Sequence, residues 1–124
     1  MERRRISSGS PYEPVIGFSR AVRVGEHVHV SGTAPVGLDS EDPYEQTKRC
    51  LEIILTALAE AGAGAEDVVR TRIYATSAGD YEEIARAHGE VFGEIRPACT
   101  FIVVSALLEP SWVVEIEADA TLTE

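Results

Sequence analysis

Apolar and polar positions change period several times along the chain, and each change marks an element. In "SRAVRVG" (19–25) and "HVHVSGTAP" (27–35), β-branched residues alternate with polar ones, and the two runs meet at Gly25-Glu26, a composition suited to a tight hairpin. The period then lengthens. Across "GLDSEDPYEQTKRCLEIILTALAEAG" (37–62), Tyr44, Leu51, Ile54, Leu55 and Leu58 fall on one helical face, while Glu45, Lys48, Arg49, Glu52 and Glu60 fall elsewhere. Asp42 is placed to cap this helix, Pro43 suits its first position and Glu45 has capping-box spacing; Gly62 ends it.

Alternation returns in "DVVRTRIYAT" (67–76), with Val69, Thr71 and Ile73 on one side and Arg70, Arg72 and Tyr74 on the other. A second helix begins near Asp80, where Glu83 repeats the capping spacing; it carries Ile84, His88, Val91 and Phe92 on one face and closes at Gly93. "CTFIVVSALL" (99–108) and "WVVEIEADATL" (112–122) are the last strands. The resulting order, ββαβαββ, predicts an α+β protein in which two helices bury their apolar stripes against one face of a mixed sheet. Residues 1–10 are read as a flexible N-terminal segment and 11–124 as a single domain. A strand as apolar as "FIVV" needs cover on the far face too, which predicts self-association through the sheet.

Composition narrows the partners. The 124 residues carry a formal net charge of −10, which opposes binding to nucleic acid. Arg3, Arg4 and Arg5 are a local exception and read as a solvated terminus. No apolar segment approaches the roughly 20 residues that span a bilayer, and "MERRRISSGS" lacks a signal core, so a cytoplasmic protein without membrane contact is expected. Cys50 and Cys99 form no disulfide framework and are expected to be reduced thiols. "AGAGAED" lacks the Lys-Ser/Thr ending of a phosphate loop and reads as a helix-to-strand turn. His27 and His29 share a strand face but find no further ligands at metal-site spacing, so neither metal nor cofactor is expected.

The segments "VSGTAPVG", "QTKRCLEIILTALAEAG" followed by "DVVRTRIYAT", and "RPACTFIVVSALLEPSWVVEIEADA" resemble the RidA family, also called YjgF-like, from about Gly17 onward. Pro97-Ala98 and "VEIEA" (114–118) are the most specific parts. The resemblance implies a chorismate-mutase-like fold assembled as a homotrimer, with small-molecule clefts between adjacent subunits. It also implies hydrolysis of reactive enamines and imines, which arise from amino acids such as serine and threonine, to keto acids and ammonia.

Transferred residue by residue, the resemblance raises one conflict. In active members the residue after Pro-Ala is an arginine that clamps the substrate carboxylate; here it is Cys99. A thiol cannot reproduce the forked, bidentate contact of a guanidinium, and loss of such a contact costs roughly 2–5 kcal/mol. The catalytic glutamate of "VEIEA", which helps orient the attacking water, maps to Glu115. The longer connection around "LLEPSW" leaves Glu117, on the same side of the strand, as its alternative. Both also suit the wet face of a terminal strand. Phe18 stands where many members have tyrosine, and Ser31-Gly32 matches the family's Ser-Gly. Arg72, Arg96 and Arg20 are candidates to replace the missing clamp.

Other readings of these residues remain open. Cys99 is either a passive residue or a nucleophile, although no histidine is placed by sequence to activate it. Cys50 reads as buried packing and His88 as a core-boundary residue. Three functions remain: an enamine or imine hydrolase with altered substrate preference, a non-catalytic or regulatory trimer that binds small metabolites, and an RNA-directed activity that the acidic balance opposes.

Overall fold

A computed structural model describes residues 2–123 of the chain. Its strands are β1 (Arg3–Ile6), β2 (Ala21–Val24), β3 (His27–Thr33), β4 (Val68–Ala75), β5 (Ala98–Val103) and β6 (Val114–Thr121); its helices are α1 (Tyr12–Ile16), α2 (Pro43–Glu60) and α3 (Tyr81–Phe92). One sheet of order β1-β2-β3-β6-β4-β5 contains all six strands, antiparallel throughout except for the parallel pair β4 and β5. The α+β class and mixed sheet agree with the sequence pattern. No helix among the described residues is long and apolar enough to cross a membrane.

The core follows from two periodicities. Helix α2 buries Leu51, Ile54 and Leu58, and α3 buries Ile84 and Phe92. Strand β6 buries Val114, Ile116, Ala118 and Ala120, and its alternate positions, Glu115, Glu117, Asp119 and Thr121, are partly exposed. That alternation delivers a row of carboxylates beside an apolar core.

The start of α2 obeys the sequence signal in part. The Asp42 carboxylate accepts a hydrogen bond from the Glu45 N–H at 2.9 Å, and Pro43 occupies the first turn. The reciprocal half of a capping box is replaced, because the Asp42 N–H donates to the Ser40 hydroxyl at 3.2 Å. Asp42→Ala should destabilise the fold by about 1 kcal/mol in urea unfolding, through loss of one satisfied helix N–H.

Three expectations change. Part of the segment expected to be flexible, residues 3–6, is strand β1 along β2; Arg4 also donates to the Glu60 carbonyl, and the Ser7 and Ser8 hydroxyls donate to the Glu13 carboxylate. Val69 is exposed and Val68 is buried, because a register shift between Val68 and Arg70 turns Val69 outward. Asp80 makes no side-chain cap; Ser77 instead accepts from the Gly79 N–H. Helix α3 closes at Gly93 as expected, and the left-handed residue beyond it is Arg96 (φ 56°).

Candidate active site

Strand β3 loses its regular register with β6 between Val30 and Thr33, so the Ser31-Gly32 backbone departs from the ladder beside Glu115. A cleft of about 560 Å³ opens there. Phe18, Ser31, Gly32 and Glu115, all singled out by sequence, line it together. Gly32 permits the close approach: a Cβ at this position would run into the Glu115 carboxylate. Ser31 is fixed by its hydroxyl, which donates to the Ser19 carbonyl at 2.6 Å.

Glu115 and Glu117 both line the cleft, but only one is uncommitted. Glu117 accepts from the Tyr74 hydroxyl at 2.8 Å and lies 3.5 Å from Arg72. Glu115 makes no hydrogen bond to another side chain among the described residues. Burial pushes its carboxyl above the ordinary range, Arg20 opposes the shift and Glu117 adds to it. A carboxyl displaced toward neutrality at a cleft wall suits proton transfer to and from water.

The structure also places the candidate cations. Arg72 is engaged with Asp119 at 3.0 Å as well as with Glu117. Arg96 and Cys99 are exposed and lie outside the cleft of the single chain. Cys99 pairs with Thr71, whose hydroxyl meets His88 of α3 at 2.9 Å, whereas Glu115 pairs with Tyr74; by strand alternation the thiol and the carboxylate belong to opposite sheet faces. Burial disfavours the charged form of His88 and pushes the Cys50 thiol up. His27 and His29 pair with Thr121 and Asp119, and no metal-binding cluster occurs among the described residues.

Arg20 is in the cleft and nearly buried, at 6% exposure. Its Nη1 donates to the Gly32 carbonyl at 2.7 Å and to the Thr33 hydroxyl at 2.8 Å, with Phe18 5.2 Å from the guanidinium carbon. Arg49 and Trp112 are among the lining residues that the sequence did not single out. Arg49 counted only as part of the polar side of α2, and Trp112 only as a strand residue. Neither has a local signal, because α2 and the 104–113 connection meet only in the folded chain.

The fold and site define a small α+β domain with a carboxyl-bearing cleft at a disrupted strand pair. A family model described as Endoribonuclease L-PSP matches residues 9–122. A RutC family protein of Pyrococcus abyssi is 34% identical over 113 residues, 87% of this chain and 88% of that protein. The 3-aminoacrylate deaminase RutC of Acinetobacter baylyi is 30% identical over 120 residues, 93% and 94% of the respective chains. The crystal structure of a Mycobacterium tuberculosis member of the YjgF/YER057c/UK114 family is similar with a TM-score of 0.92 and 45% identity, covering 98% of this chain and 100% of that one. The chain belongs to the RidA/YjgF family.

Proposed function

We propose that this protein hydrolyses reactive enamines or imines to a carbonyl product and ammonia, with a substrate preference altered by Cys99 at the position of the clamping arginine. The observation that carries the reading is Glu115: a partly buried carboxyl, raised in pKa, against a glycine that leaves room for a reacting carbon. Water held by Glu115 adds to the imine carbon and gives its proton to the carboxylate. The imine enters protonated, so this gives a neutral carbinolamine; the same proton then passes to its nitrogen, the C–N bond breaks to release ammonia, and the hydroxyl gives its proton to solvent as the keto product forms.

The working unit in this proposal is a homotrimer with clefts between adjacent subunits. Its support is the placement of Cys99 and Glu115 on opposite faces of one sheet, so that they join a single site only when a second copy contributes one of them. Cys99 also gives weight to a second reading, a trimer that binds small metabolites without turnover. The family description supports an endoribonuclease-like activity, and the net charge of −10 opposes it.

The test generates 2-aminoacrylate or 2-iminobutanoate in situ and follows keto-acid release. Wild type should exceed the buffer rate modestly, and Cys99→Arg should raise the rate about tenfold or more by restoring a bidentate anion contact. A wild-type rate equal to buffer, left unchanged by the arginine, would reject the hydrolase reading. Gly32→Ala should lower turnover about tenfold by displacing the Glu115 carboxylate, with little change in melting temperature.

A further inference from the structure

Of the three cations expected to replace the missing clamp, two are poorly placed: Arg72 is paired with two carboxylates, and Arg96 lies outside the cleft. The third, Arg20, reaches the cleft, and so does Arg49 from a different element. Arg49 projects from α2, where its Nε donates to the Val36 carbonyl at 2.8 Å and its Nη1 lies 3.5 Å from Glu52. Arg20 enters just before β2. Its Nε is buried without a hydrogen bond and lies 3.8 Å from Glu13, whose charge is already shared with Ser7 and Ser8. Among the described residues Arg20 spends only Nη1 on hydrogen bonds, so its Nη2 edge has donors to offer. A guanidinium held in place with donors to spare, next to a cleft, is a preorganised anion receptor.

The rest of the wall is apolar: Ile53 from α2, Val36 after β3, and Leu108 and Trp112 from the 104–113 connection. Leu108 is 64% exposed and Val36 40%, an unusual display of apolar surface around one opening. A substrate the size of pyruvate would leave most of this wall wet.

We propose that the cleft takes a small carboxylic acid with an apolar side chain of leucine size, its carboxylate received by Arg20 and Arg49 and its chain packed on Ile53 and Trp112. This rests on the hydrolase reading for the fate of the ligand, but not for its binding. It moves the anion site from the position of residue 99 to the wall beside Gly32, whose carbonyl Arg20 already contacts. In place of the lost clamp the protein has an anchor that favours longer acids.

Trp112 is the single tryptophan and therefore reports on its own cleft. Titration of its fluorescence should show saturable binding of 4-methyl-2-oxopentanoate about tenfold tighter than of pyruvate, which lacks the apolar chain, or of 4-methyl-2-pentanone, which lacks the carboxylate. Arg49→Gln and Arg20→Gln should each weaken the longer acid about tenfold, whereas Arg86→Gln, which removes the same charge from α3, should not. Equal binding of the three ligands by wild type, or no binding at all, overturns the proposal without need of a variant. So does full affinity in both arginine variants. Saturable binding without keto-acid release from the matching imine would reject the hydrolase reading and leave this anchor standing; turnover of that imine indifferent to both arginines would do the reverse.

Discussion

Glu115→Gln is expected to lower keto-acid release by about 10²–10³-fold while leaving the protein folded, because the amide keeps the shape of the side chain and loses the proton acceptor. It should also alter stability with a definite sign. The folded-state pKa of Glu115 is raised above its unfolded value, chiefly by burial, so the native chain holds a proton that the unfolded chain has released. This residue's contribution to stability therefore falls as pH rises from the ordinary carboxylate range through the raised folded value. At neutral pH the glutamine variant escapes that penalty. Urea unfolding of the two proteins should find the variant at least as stable at pH 7, with the difference shrinking toward pH 4. A variant that is less stable at pH 7 would mean that the charge of Glu115 is compensated in the fold and is not held in reserve for chemistry.

Gln46→Ala should produce the largest loss of stability among these substitutions, about 2–4 kcal/mol, because one buried side chain serves three backbone groups. Its amide nitrogen donates to the carbonyls of Ser40 and Ser111, and its oxygen accepts from the Val113 N–H, each at 2.8 Å. Alanine leaves those groups with no protein partner and unpins the 111–113 segment from α2. Trp112 lies within that segment, so its fluorescence should shift to the red in the native state as well as on unfolding. A loss below about 1 kcal/mol would show that water replaces the amide at little cost.

Elements with strong periodicity were legible in the sequence. The Asp42-Pro43 start, the apolar stripe through Leu51, Ile54 and Leu58, and the Gly25-Glu26 hairpin each follow from a local rule that the packed structure obeys. Strand β1 was not legible, because "RRRI" has no alternation and a single apolar residue, Ile6; it forms by pairing with β2, a non-local cause. Val69 misleads for a related reason: period 2 assumes an unbroken ladder, and the bulge at Val68/Arg70 breaks it.

Within the site, Phe18, Ser31, Gly32 and Glu115 could be named from sequence because a family resemblance tied them together, whereas alternation alone could not separate Glu115 from Glu117. The separation comes from partners: Tyr74 and Arg72 occupy Glu117. Gln46 carries no signal in the sequence, and Arg20 is named there only as one of three candidate cations. Their burial depends on carbonyls supplied by distant segments, and no local pattern encodes that.

The most direct measurement is a crystal structure of the protein soaked with 4-methyl-2-oxopentanoate. The account predicts three copies around a threefold axis, with the acid in each cleft and its carbonyl carbon facing the Glu115 carboxylate beside Gly32. A solitary subunit, or an acid bound away from Glu115, would contradict it.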